Sequence, residues 1–99
     1  MQITKQDNNG SITLAIDGII DSTTAPQFEE AMVEACGATK SLTLDFAKVG
    51  FVSSAALRVL LFSQKKMNAI QGAMKLINVN DTVREVFELT GFVSVLNIA

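Results

Sequence analysis

Apolar and polar residues alternate along several stretches of this chain. Ile12, Leu14 and Ile16 are separated by Thr13 and Ala15, and Asp17 follows. A two-residue period predicts a strand with one face buried. Leu42, Leu44 and Phe46 alternate with Thr43 and Asp45 and predict a second such strand, and Met74 to Val79 a third. Asn8-Asn9-Gly10 reads as a tight turn, so residues 2–6 are expected to pair as a hairpin with the strand that follows. Phe92 to Ile98 is expected to supply a last strand.

Between these runs the period lengthens. Phe28, Ala31, Met32, Ala35 and Cys36 recur at helical spacing, with Glu29, Glu30 and Glu34 largely off their stripe. Thr24-Ala25-Pro26-Gln27 has the form of a capping box with proline in the first turn, and Gly37 is a suitable stop. A second helix is expected from about Ser54 to Ala69, closed by Gly72. Its core stripe is expected to hold Leu57, Leu60, Leu61 and Ile70, widened by Val59 and Phe62, with Gln64 to Asn68 emerging into water. Asn80 or Asp81 is expected to cap a short helix bearing Val83, Val86, Phe87 and Thr90, closed by Gly91. The order β-β-α-β-α-β-α-β predicts an α/β fold, with a mixed, mostly parallel sheet of about five strands and helices packed against it.

Composition narrows the function. The 99 residues are 48% hydrophobic and 18% charged, enough for a core, and they are expected to form a single domain over residues 1–99. No basic run exceeds Lys65-Lys66, and Trp and Tyr are absent, so a nucleic-acid surface is not expected. The six phenylalanines read as core. Cys36 is the only cysteine and there is no histidine, which excludes an internal disulfide and leaves too few ligands for zinc. The Cys36 thiol reads as a small core group, and Met32, Met67 and Met74 as core filling. The start of the chain is not read as a signal peptide, and no apolar run reaches membrane-spanning length. A cytoplasmic protein without cofactor or metal, and without direct membrane insertion, is expected.

The segment with chemical interest is Phe51-Val52-Ser53-Ser54-Ala55-Ala56-Leu57-Arg58, where two hydroxyls meet the start of an apolar helix. The first N–H groups of a helix lack partners, and the helix dipole favours negative charge there. Ser54 can therefore serve as an N-cap, as the acceptor of a phosphoryl group, or as both. Ser53 is open as a second acceptor or as the true cap. Arg58, four residues after Ser54, can steady a phosphoryl group or face water. Asp21, between the first full strand and the first helix, can cap that loop or touch a partner. An enzyme is not expected: no histidine can act as base, and there is no phosphate-binding glycine loop.

Taken in order, these segments resemble the STAS domain family, whose fold is shared by sulfate transporter tails and bacterial anti-sigma factor antagonists. Gly18-Ile19-Ile20-Asp21 is similar to the segment before the family's first helix, and Leu44-Asp45-Phe46 to the strand before its switch loop. Phe51 to Leu57 is similar to its aromatic-Ile-Asp-Ser-Ser-Gly-Leu, and Val83 to Phe92 to its last helix. Two positions differ: Ser53 stands where many phosphorylated members have Asp, and Ala56 where glycine is usual. The resemblance implies an anti-sigma factor antagonist that binds an anti-sigma factor with serine-kinase activity. It implies Ser54 as the acceptor and a phosphatase that resets the switch. It places the partner surface around Asp21, Ser53, Ser54, Ala55 and Arg58. The alternative within the same fold is a phosphorylation-independent adaptor in a larger assembly, such as a lipid-transport or stress-sensing complex.

Overall fold

The computed structural model describes residues Met1–Ala99. Strand β1 (Gln2–Asn8) pairs antiparallel with β2 (Ser11–Ile20) across a two-residue turn. Asn9 and Gly10 both take positive φ there, 55° and 92°, as such a turn requires. Helix α1 (Ala25–Ala38) leads to β3 (Ser41–Val52), α2 (Ser54–Ala69) to β4 (Ala73–Ile77), and α3 (Asp81–Leu89) to β5 (Asn97–Ile98). The sheet order is β1-β2-β3-β4-β5, with every pair after the first parallel. The mixed, mostly parallel sheet and the element order match the sequence reading.

Sequential parallel strands joined by right-handed crossovers put every connecting helix on one face. Burial agrees with that layering. Ile12, Leu42 and Met74 stand in one row across three strands, Leu14, Leu44 and Leu76 in the next, and all six are buried. The intervening rows, Thr13-Thr43-Lys75 and Ala15-Asp45-Ile77, keep their access to solvent. Phe28 and Met32 of α1, Leu60 and Met67 of α2, and Val83 and Phe87 of α3 close the covered face.

Several boundaries depart from the sequence reading, each for a local reason. Thr24 stands at the N-cap of α1 but makes no capping bond. Its hydroxyl donates to the Ile19 carbonyl at 2.8 Å and accepts from Asp21 N–H at 2.9 Å, so the capping box does not form. Gly37 does not stop α1, which runs to Ala38. Thr39 then turns extended, and its hydroxyl bonds to the Gly10 and Ser41 carbonyls.

On α2 the buried stripe is Ala56, Leu57, Val59, Leu60, Ser63, Gln64 and Met67. Phe62 and Ile70 are exposed, Gln64, expected in water, is covered, and Met67 is buried in accord with its reading as core filling. The helix is apolar on more than one side, so its pattern alone did not identify the side facing the sheet. The left-handed residue after α2 is Gln71, at φ 58°. Gly72 serves close approach instead: a Cβ there would lie 2.9 Å from Met67 Cε and 3.0 Å from the Lys40 carbonyl.

Asn80 caps α3, its side-chain oxygen accepting from Val83 N–H at 2.8 Å, while its amide donates to the Val49 carbonyl at 2.8 Å. One residue thus starts the helix and ties it to β3. The expected strand over Phe92 to Ile98 opens as a 3-10 turn (Phe92–Ser94), and only Asn97 and Ile98 reach the sheet.

Candidate functional site

Strand β3 runs well past Phe46 to Val52 and carries two extra residues relative to β2. Ala15 pairs with Asp45, but Asp17 pairs with Lys48 and Ile19 with Phe51. Each shift re-aims the side chains that follow. Buried positions on β3 therefore run Leu42, Leu44, Phe46, Val49 and Val52. Phe51 is turned outward beside Ile19. The two are 44% and 51% exposed, a solvent-facing apolar pair at the strand ends that lead to α1 and α2. The sequence reading took Phe51 as core. Adjacent strand residues point to opposite faces and helices cover only one, so Ile19-Ile20 and Phe51-Val52 signalled that one of each pair is exposed, and the register decides which.

The chain then passes directly into α2. Ser53 N–H donates to the Ile20 carbonyl at 2.9 Å, which draws the end of β2 against the start of the helix. Ser53 is the N-cap residue, in an extended conformation, yet its hydroxyl makes no capping bond. Its Oγ is sealed from solvent and has no hydrogen-bond partner. Ser53 thus holds the N-cap position without its capping bond, and its hydroxyl is turned away from solvent.

Ser54 is the first helical residue and is exposed. The first bond of the helical ladder runs from Leu57 N–H to the Ser53 carbonyl at 3.1 Å. The N–H groups of Ser54, Ala55 and Ala56 precede it, and the first turn carries no acidic residue. The positive end of the α2 dipole is therefore open at Ser54. Ala56, in the position where glycine is usual, is fully buried beneath this turn.

Asp21 lies beside this helix start through the Ile20–Ser53 bond. Its Oδ1 accepts from the Thr23 hydroxyl at 2.7 Å, from Thr23 N–H at 2.9 Å and from Thr24 N–H at 3.1 Å. These bonds favour the ionised form and hold the carboxyl below its ordinary value, the Thr23 hydroxyl contributing most. The loop's support from this group is thus present above about pH 4 and is lost as pH falls through the lowered value. An NMR titration of the Asp21 carboxyl is expected to give a midpoint below that of a free aspartate. A Thr23→Ala variant should move that midpoint upward, and an unchanged midpoint would contradict this assignment.

Arg58 is exposed and has no ion-pair partner. With Ala55 and Val59 it forms one wall of a shallow groove whose other wall is Ser22, Ala25, Pro26 and Glu29 at the head of α1. Asp21, Ser53, Ser54, Ala55 and Arg58 thus lie around the start of α2 and the head of α1. The largest cleft, about 360 Å³ between β1 and α1, lies along Ile3, Lys5, Leu14 and Glu34 and includes none of them.

Cys36 is buried against α2, its Sγ 4.0 Å from the Ser63 carbonyl, and burial pushes its thiol up, away from the reactive thiolate. No cluster of metal-ligating side chains is present, and no helix is long and apolar enough to cross a membrane.

Comparison with known proteins places this geometry in context. BtrV of Bordetella bronchiseptica, named as an anti-sigma factor antagonist, is 32% identical over 100 residues, covering 100% of this chain and 86% of that protein. Among solved structures, an anti-sigma factor antagonist from Thermotoga maritima superposes with a TM-score of 0.89 at 17% identity, over 97% of this chain and 84% of that one. The anti-sigma factor antagonist SpoIIAA in its unphosphorylated form superposes with a TM-score of 0.77 at 18% identity, over 99% and 87%. At these identities the two structures establish the shared fold. The family model described as STAS domain matches residues 1–99 in full. With the sheet order, the helix layer and this match agreeing over the whole length, the chain belongs to the STAS domain family.

Proposed function

We propose that this chain is an anti-sigma factor antagonist that docks through the α2 end of its sheet and is switched by phosphorylation of Ser54. The observation that carries the reading is an exposed hydroxyl on an uncapped helix start, flanked by the outward pair Ile19 and Phe51. BtrV and the anti-sigma-B factor antagonist of Listeria monocytogenes, 27% identical over 95 residues, support the regulatory class. SpoIIAA is known in both phosphorylated and unphosphorylated forms.

The partner is an anti-sigma factor with serine-kinase activity. Ile19 and Phe51 give it apolar contact, while Asp21, Ala55 and Arg58 border the acceptor. The γ-phosphoryl of ATP passes to Ser54 Oγ and ADP leaves. This chain has no histidine, and position 53 is a serine, so the base that takes the hydroxyl proton belongs to the kinase. The added group carries about −1.5 to −2 charges. The open N–H groups of Ser54, Ala55 and Ala56, with Arg58 one turn on, offset it within the fold. At a docked surface it is desolvated and repels the partner. A phosphatase restores the binding form.

Incubation with the cognate kinase and ATP is expected to add one phosphoryl, located at Ser54 by mass spectrometry and absent in Ser54→Ala. No addition, or addition elsewhere, would overturn the switch. That result would favour the phosphorylation-independent adaptor, a reading supported by the missing carboxylate at position 53.

A further inference from the structure

The two helices beside the groove are segregated by charge. Helix α1 carries Glu29, Glu30 and Glu34 and no basic residue, and α2 carries Arg58, Lys65 and Lys66 and no acidic one. All six side chains are exposed. Yet the two helices do not neutralise each other: the molecule's one ion pair is Lys5 to Glu34, at 3.9 Å. Each helix also exposes one large apolar side chain among these charges, Val33 at 47% and Phe62 at 49%. Lys66 Nζ lies 5.8 Å from the centre of the Phe62 ring.

The heights of these groups match. Glu29 and Arg58 line the same groove, and Cys36 reaches the Ser63 carbonyl further along. Val33 and Phe62, each four residues beyond Glu29 and Arg58, both fall between the groove and the Cys36–Ser63 contact, on the exposed side of the two helices.

We infer that this face is a self-association surface, on which two copies pair about a two-fold axis running parallel to the helices. That axis carries α1 of one copy onto α2 of the other. Each row of carboxylates then meets a row of ammonium and guanidinium groups. Val33 meets Phe62 of the second copy twice, near the axis, with the charges at the rim. An axis across the helices would stack α1 on α1 and α2 on α2, placing like charges together. A wholly acidic or wholly basic partner is repelled by half of the face, whereas a second copy satisfies both halves, as an isologous contact requires.

The face is small. Helices about 20 Å long and about 10 Å apart offer on the order of 400 Å² per copy, below the roughly 800 Å² of a standard stable interface. The dimer is therefore weak, concentration-dependent and sensitive to salt. This inference does not depend on the reading of Ser54.

Sedimentation velocity of the full chain tests it. At about 20 mM salt and protein up to about 1 mM, the mean mass is expected to rise toward that of two copies, and to fall back at about 500 mM salt. Glu30→Lys with Glu34→Lys, and separately Lys65→Glu with Lys66→Glu, should each remain monomeric. Mixed together, the two variants should associate, because each reversed helix then faces its opposite. That rescue also shows that both variants are folded. A wild-type chain that stays monomeric in low salt overturns the inference. So does a dimer untouched by either reversal, which would place the contact elsewhere, for instance on the β1 edge. A mixture that fails to associate does the same.

Discussion

Replacing Ser54 with Asp is expected to weaken anti-sigma factor binding by about 100-fold or more, while the fold becomes no less stable. The two halves of this outcome have different physical sources. Within the molecule, a carboxylate at the first position of α2 meets N–H groups that precede the first helical bond and a turn without other acids. Such a charge is worth about 0.3–1 kcal/mol to the helix, so the melting temperature should hold or rise by a few degrees. In the complex the same charge is taken from water against a surface shaped for a hydroxyl. An unpaired charge there costs several kcal/mol, and each 1.4 kcal/mol is about tenfold in affinity. Titration calorimetry against the anti-sigma factor, with thermal melts of the same samples, separates the two effects. Ser54→Ala is the control and should still bind. If Ser54→Asp binds as tightly as wild type, the electrostatic switch fails. If it binds weakly but also melts early, the loss reflects damage to the fold.

The second large effect concerns the fold. Phe87→Ala is expected to cost about 3–5 kcal/mol, a large share of the roughly 5–15 kcal/mol that holds a small domain together. Phe87 is fully buried, and its ring stands 6.5 Å from that of Phe46, tilted by 40°. Together with Val83 it is the buried face of α3. Apart from these two, only the half-buried Val86 of this short helix touches the core, and the cavity would open on β3. Urea unfolding should show a lower midpoint with little change in slope. A loss below about 1 kcal/mol would mean that α3 contributes less to the core than its burial implies.

Much of the fold was legible in the sequence because its signals are local. The alternation around Leu14, Leu44 and Leu76 marked three strands. Pro26 marked the start of α1, and Asn80-Asp81 the start of α3, where the structure selects Asn80 as the cap. The hydroxyls of Ser53 and Ser54 marked the entry to α2. Other features depended on neighbours far away in sequence. The extra residues in β3, which turn Phe51 outward, exist only in register with β2. The burial of Gln64 and the exposure of Phe62 depend on which side of an apolar helix lies on the sheet. Phe92 to Ile98 has strand-like composition, but only Asn97 and Ile98 find a partner, beside Lys75 and Leu76.

By itself, the sequence determined the class of fold, the alternation of strands and helices, and the presence of a hydroxyl where α2 begins, because each follows from the spacing of side chains along a few turns of backbone. Only the tertiary structure decided which hydroxyl is sealed and which is free. The Ile20–Ser53 bond turns one serine inward and leaves Ser54 facing solvent. It also set the acidic and basic helices side by side with no ion pair between them. Exposure and juxtaposition belong to the packed chain, where the covering atoms come from residues distant in sequence.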